Sequence, residues 1–331
     1  MTSSKEHNRI GALHAAVAEA AQRIRPLVRV TPLEHSPALS DQAGCSLFLK
    51  MENVQVTGSF KARGAVNKLL CLGPEQRTAG VVTASTGNHG LAVAYGVQKL
   101  GIRGTIFLPE NVPPHRIAAL RRYPVELRLF GNDCALTEQE ARRHAQTTGA
   151  VYISPYNDLD VVAGQGSVAV ELEQELGRMD WLFVAVGGGG LIAGCAAYLK
   201  ERGHHTHVVG CLPANSPTMY ECIKAGRIVE VAVQPTLSDA TAGGIEPGAI
   251  TFPLCQKLVD DWVLVSEEQI GAAIRLLFEE HRLVIEGAAG VAVAGALSYL
   301  QRQHRASDTR GVVIVCGGNI AIERLKELVC A

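Results

Sequence analysis

The 331-residue sequence predicts an α/β protein of two lobes, each with a central, mainly parallel sheet flanked by helices. Three observations carry this. From Val81 onward, short β-branched runs alternate with longer segments whose apolar residues recur at helical spacing. Most junctions between them are marked by Gly, Pro or Asn. At 47% hydrophobic and 19% charged residues, the chain has apolar material for a core or two, which excludes a disordered protein.

Taken in order, strands are expected at 80–84, 104–108, 125–129, 181–186, 207–210 and 311–315, each followed by a turn and a helix. One group of strand–helix units covers about 79–150 and a second runs from about 151 to the end. No Pro/Ser-rich linker separates them, so extensive contact and a cleft between lobes are expected. Right-handed crossovers gather the turns at the carboxyl ends of the strands, and a ligand site is sought there.

Charge and cysteine usage narrow the function. Lys and Arg number 31 against 32 Asp and Glu, a net charge of −1 that argues against a general nucleic-acid binder. The longest uncharged stretch, 182–199, is interrupted by Gly187, Gly188, Gly189 and Gly190, so no membrane span is expected. Residues 1–10 are polar and lack the apolar core of a secretory signal, which makes the cytoplasm the default expectation. Nine cysteines without a CxxC pair read as free thiols in a reducing compartment, and no structural zinc is expected.

Four segments can carry chemistry. In the first, Thr57–Gly58–Ser59–Phe60–Lys61–Ala62–Arg63–Gly64–Ala65, Lys61 lies among small residues beside an aromatic one. The segment reads equally as a helix start with Ser59 as N-cap and Lys61 in solvent. A partly apolar pocket would instead disfavour the ammonium and free the amine to form a Schiff base with an aldehyde cofactor. In the second, Ala84–Ser85–Thr86–Gly87–Asn88–His89–Gly90, a strand passes into a helix whose first amides can hold a carboxylate or phosphate. A well-capped turn is the alternative. In the third, Val186 is followed by four glycines, then Leu191 and a helix. Successive amides there can wrap a phosphate monoester, without the Lys-Ser/Thr of a Walker loop or a good dinucleotide fingerprint. In the fourth, Val315–Cys316–Gly317–Gly318–Asn319, a thiol at a strand end is either an ordinary buried cysteine or a neutral partner for a heterocycle nitrogen.

Other features carry less. His204, His205 and His207 lie in a polar connection and read as solvated rather than as metal ligands. Asp158, Asp160, Asp260 and Asp261 read as exposed charges, and Arg116, Arg121 and Arg122 as one face of a helix. Glu286 precedes a Gly/Ala-rich helix and either approaches the site, caps the helix or makes a buried hydrogen bond. Segments 154–158 and 240–246 are expected to shape a side-chain pocket.

Together, an activated lysine, a carboxylate turn, a phosphate-binding tetraglycine and a neutral ring partner resemble the fold-type II pyridoxal phosphate enzymes, of the tryptophan synthase β type. The branch is that of threonine and serine dehydratases and serine racemase. The four motifs stand in the family's order, with Arg29–Val30–Thr31–Pro32–Leu33 and Leu49–Lys50–Met51–Glu52–Asn53 before them. The resemblance implies that 1–75 and 151–331 form a large cofactor-binding domain and 76–150 a small domain carrying the substrate-carboxylate loop. It implies that Lys61 binds pyridoxal 5'-phosphate and then acts as base at the α-carbon, and that Phe60 packs on the cofactor ring. Asn88 would bond its phenolic oxygen, Gly187, Gly188, Gly189, Gly190 and Leu191 its phosphate, and Cys316 would face its ring nitrogen. Ser85, Thr86, Gly87, Asn88 and His89 would surround the substrate carboxylate.

The implied activity is loss of water from a β-hydroxy-α-amino acid, L-threonine, L-serine or a bulkier analogue such as phenylserine, giving a 2-oxo acid and ammonia. A neutral ring partner favours elimination over transamination. Racemisation on the same scaffold is the alternative, less expected because Thr86 stands where the racemase pattern has a second serine. No divalent site is carried over, since Leu212 holds the position of that branch's metal-binding Glu. The chain stops soon after Asn319, so feedback control through an appended sensing domain is not expected, whereas a homodimer is. A binding protein that kept the fold and lost the activity is opposed by the intact Lys61.

Overall fold

The computed structural model describes residues 2–303 and 308–330, with side chains described from residue 12 onward. Met1, which belongs to the polar start at 1–10, lies outside the described residues, and the backbone is helical from Thr2.

The strands are β1 Leu33–His35, β2 Ser46–Lys50, β3 Val81–Ala84, β4 Gly104–Leu108, β5 Glu126–Leu129, β6 Val151–Tyr152, β7 Trp181–Ala185, β8 His207–Pro213, β9 Asp261–Val265 and β10 Arg310–Ile314. They form two sheets. The larger has the order β1-β2-β10-β7-β8-β9 and the smaller β5-β4-β3-β6, and every pairing is parallel except β1 with β2. The expected two-lobed, mainly parallel architecture is therefore present. Its boundary needs one correction: the second group of units was expected to begin at 151, yet Val151 and Tyr152 pair with Val81 and Val82 in the small sheet.

The first half of the chain contributes helices α1 Thr2–Ile24, α2 Pro37–Ala43, α3 Lys61–Cys71, α4 Pro74–Ala79, α5 Asn88–Leu100, α6 Pro114–Leu120 and α7 Cys134–Thr148. The second half contributes α8 Leu159–Leu176, α9 Gly190–Glu201, α10 Thr218–Ala225, α11 Thr251–Leu258, α12 Glu267–His281, α13 Gly287–Leu300 and α14 Ile322–Val329. The most apolar of them, α13, packs across β7, β8, β9 and β10, while α9 packs on β7 and β8 and is backed by α8 and α1. In the small lobe α7 covers β3 and β4, and α5 joins the lobes by packing on α3. Among the described residues no helix is long and apolar enough to cross a membrane.

Two devices fix α3, whose first residue is Lys61. Gly64 and Gly164 let α3 and α8 touch backbone to backbone: a Cβ on Gly164 would lie 2.7 Å from the Gly64 Cα. In the first turn of α3, Arg63 is buried in a charge network. It donates to Glu52 through Nε at 2.8 Å and Nη2 at 2.7 Å, and to Glu171 through Nη1 at 2.7 Å. Buried Lys50 meets the same Glu171 at 2.9 Å and donates to the Thr31 carbonyl at 2.6 Å. Burying two cations is tolerable only because every partner is an acceptor at short range. The network ties β2 and the loop after it to α3 and α8, so the start of α3 cannot rotate independently.

Candidate active site

All four chemical motifs converge on one cavity of about 410 Å³ in the cleft between the sheets. Phe60, Lys61, Ser85, Thr86, Gly87, Asn88, His89, the run from Gly187 to Leu191, and Cys316 all line it. The size lies within the usual range of small-molecule sites.

The first and fourth motifs, far apart in sequence, are joined by backbone. Ser59 and Gly317 form an isolated antiparallel bridge, with Phe60 N–H donating to the Cys316 carbonyl at 3.0 Å and Gly318 N–H to the Gly58 carbonyl at 2.9 Å. Ser59 is thus bridge residue rather than N-cap: Phe60 holds that position, and no side chain caps α3. Lys61 Nζ stands 5.1 Å from the Phe60 ring centre and donates to the Pro155 carbonyl at 2.8 Å. Burial pushes its amine down to about 8, against the opposing pull of Cys316 and Glu286. The solvated-lysine alternative is excluded by this placement. Burial also raises the Cys316 thiol well above its usual range, helped by the nearby Glu286 carboxylate. At neutral pH the thiol is uncharged.

The tetraglycine begins α9. Gly189 is its N-cap at φ +84°, a conformation that L side chains rarely adopt, and no side chain caps the helix. A Cβ on Gly188 would lie 2.3 Å from the Tyr156 ring, and one on Gly187 would lie 3.0 Å from the Thr241 backbone. The glycines therefore admit Tyr156 and the 238–243 loop against the cleft floor while leaving first-turn amides unclaimed. Such a cradle, at the positive end of a helix dipole, fits a phosphate monoester. With a buried amine in the same cavity and a neutral thiol beside it, the residues present fit pyridoxal 5'-phosphate.

The second motif opens α5, again without a capping side chain. Ser85 Oγ accepts from Gly87 N–H at 3.3 Å, and Thr86 Oγ1 accepts from Arg116 at 3.0 Å. His89 is turned inward: its Nε2 lies 2.9 Å from the Ile153 carbonyl, and burial, then Lys61, pushes the imidazole down to about 3. It stays neutral, with Nδ1 lacking a partner among the described residues.

Residues outside the four motifs complete the lining. Arg116, read from the sequence as part of a helix face, instead reaches the cleft from α6 and bridges it to Asp239 at 2.6 Å. Glu286, left open, accepts from Asn88 Nδ2 at 2.8 and 3.0 Å and makes no capping bond to α13. Tyr156, Asp239, Ala240 and Thr241 also line the cavity, so 154–158 and the start of 240–246 do shape it. The residues read as exposed charges have partners: Asp158 caps α8 and joins Asp160 on Lys68, Asp260 holds Lys200, and His204 pairs with Glu173. Among the described residues no disulfide joins the cysteines.

Comparison with known proteins gives a consistent result. Residues 24–317 match the family described as pyridoxal-phosphate dependent enzyme. The chain is 38% identical to the L-threonine ammonia-lyase of Geobacter sulfurreducens over 318 residues, covering 96% of this chain and 78% of that protein. It is similar to the processed form of threonine deaminase isoform 2 from Solanum lycopersicum, with a TM-score of 0.92, 31% identity and coverage of 97% and 92% of the two chains. It is also similar to maize serine racemase, with a TM-score of 0.89, 32% identity and 95% coverage of both.

Proposed function

The chain belongs to the pyridoxal-phosphate dependent enzymes, and from that premise we propose that it is a dehydratase, removing water from L-threonine or L-serine to give a 2-oxo acid and ammonia. The observation that carries this reading is the position of Lys61: a buried amine, partly neutral near pH 8, between a phosphate cradle and an uncapped carboxylate-binding turn.

When bound, pyridoxal phosphate supplies an electron sink for the charge left on the substrate's α-carbon. The rest falls to the chain. The amides of Gly187, Gly188, Gly189, Gly190 and Leu191 at the α9 N-terminus would hold its phosphate, with Phe60 against its ring and Asn88 offering a donor to its phenolic oxygen. Cys316 would offer the ring nitrogen an uncharged thiol. The turn from Ser85 to His89 receives the substrate carboxylate on its amides, with Thr86 held in place by Arg116. Lys61, aimed by the Pro155 carbonyl, takes the α-proton, for which a lowered pKa suits it.

The small lobe, which runs from about 76 through strand β6 to Tyr152, carries the carboxylate turn, and the remaining chain carries the cofactor. The protein acts as a homodimer in the cytoplasm; nine cysteines without a disulfide among the described residues support a reducing compartment, and family likeness supports the dimer. A screen of L-threonine, L-serine, threo-3-hydroxyaspartate and phenylserine for 2-oxo acid release tests the activity and ranks the side chains. Solvent-labelled D-amino acid without 2-oxo acid would overturn the dehydratase reading in favour of a racemase.

A further inference from the structure

We propose that Glu286 is a positioning residue for the cofactor's polar edge: its carboxylate locks the Asn88 amide so that Nδ2, not Oδ1, faces the cofactor. This rests on the reading that Lys61 carries pyridoxal phosphate.

The geometry is a closed network across three elements. Asn88, the first residue of α5, gives one Nδ2–H to Glu286, 2.8 Å from Oε1 and 3.0 Å from Oε2. Asn319, in the turn after β10, donates its backbone N–H to Glu286 Oε2 at 3.2 Å. Its side-chain Nδ2 reaches both Asn88 Oδ1 at 2.7 Å and the Thr57 carbonyl at 2.9 Å. Asn88 Oδ1 is thereby occupied, and one Nδ2–H remains for the cavity, which Asn88 lines. Flipping the amide would set Oδ1 against the carboxylate and Nδ2 against Asn319 Nδ2, two repulsive contacts in place of two bonds.

The chain makes room for this carboxylate. Gly317 has no side chain where one would collide: its Cβ would lie 2.5 Å from Glu286 Oε1. Glu286 is tied to the same turn by its backbone, its N–H donating to the Gly317 carbonyl at 3.0 Å. It is 4% exposed, and the hydrogen-bonding partners of its carboxylate, Asn88 on α5 and Asn319 in the turn after β10, are both donors.

A proton on the carboxylate removes the reason for that orientation. Burial pushes the carboxyl up to about 7, and nearby Asp239 pushes the same way. The bonds from Asn88 and Asn319 and the charge of Lys61 oppose the rise, while Cys316 is neutral. Below about 7 Glu286 is protonated and the Asn88 lock loosens; above it the lock is set. Such a carboxylate acts through Asn88 without touching substrate.

The test is a pH titration of the visible absorbance of the lysine-bound cofactor in the holoenzyme, with kcat and KM measured alongside. In the natural protein the band should shift with a midpoint near 7. Glu286→Gln sets an NH2 against Asn88 Nδ2 in either orientation of the new amide, because both carboxylate oxygens accept from Asn88, so the step should vanish and kcat fall about 10- to 100-fold, with KM changing less than about threefold. Gly317→Ala keeps the carboxylate but displaces it and should reproduce the loss, which covers the case where Glu286→Gln does not fold. In an Asn88→Ala background, Glu286→Gln should cost less than about twofold more. A natural protein without the step, a Glu286→Gln spectrum and kcat like those of the natural protein, or independent losses in the double variant would each overturn the proposal. A natural protein with no lysine-linked chromophore at all would instead overturn the reading of function.

Discussion

Replacing Gly188 with Ala perturbs the phosphate cradle at its tightest point. The new methyl would stand 2.3 Å from two carbons of the Tyr156 ring and 2.6 Å from a third, well inside contact distance. The ring cannot swing away freely, because the Tyr156 hydroxyl accepts from Glu246 N–H at 3.0 Å and the preceding Pro155 carbonyl holds Lys61. Overpacking of this kind costs the fold about 1–3 kcal/mol. The larger effect is on the ligand: if the loop yields, its amides are turned from the phosphate, and one hydrogen bond to a charged group is worth about 1.5–3 kcal/mol. Cofactor affinity should then drop about 10- to 100-fold. The assay strips the cofactor, confirms by thermal melting that the apoprotein is folded, and titrates pyridoxal phosphate back while following absorbance. An affinity equal to that of the natural protein would refute the placement of the phosphate at residues 187–191.

The amine of Lys61 sets a pH dependence on reconstitution. With its pKa at about 8, the neutral fraction rises with pH and at pH 7 is about one in ten, against about one in three thousand for an ordinary lysine. The rate at which apoprotein takes up the aldehyde, measured by stopped-flow absorbance, should climb through pH 8 and level off above it; a rate still climbing about tenfold between pH 8 and pH 9 would contradict the burial argument. Glu52→Ala removes one of the two carboxylates that pair with buried Arg63, leaving its Nε without an acceptor, and should cost about 3 kcal/mol in urea unfolding, whereas a loss under about 1 kcal/mol would mean the network is dispensable. Arg116→Gln removes the donor to Thr86 and a partly exposed pair with Asp239. Stability should change by at most about 1 kcal/mol while kcat/KM for the hydroxy amino acid falls roughly tenfold, and unchanged kinetics would count against any role for Thr86 at the carboxylate.

The sequence reveals the parts whose signal is local. Strands of β-branched residues, such as Val81–Ala84 and Trp181–Ala185, announce themselves, and so do glycines placed between a strand and a helix. Strand β2 does not, because it ends in Lys50, a charge that looks exposed until Glu171 is brought to it from α8. Strand β6 is two residues long, too short for any periodicity, which is why the lobe boundary was set just before it. At the site, motif residues were legible because small and polar types crowd together at strand ends. The roles of Glu286 and Arg116 were not, since each depends on a partner supplied by the other lobe: Asn88 for the first, Asp239 for the second. Tyr156 is legible only once Gly188 is seen beneath its ring.

The most direct measurement is chemical. Borohydride reduction of the holoenzyme, followed by proteolysis and mass spectrometry, locates the lysine that carries the cofactor. The account predicts a single pyridoxyl adduct on Lys61, abolished in Lys61→Ala; an adduct on another lysine, or none, would contradict it.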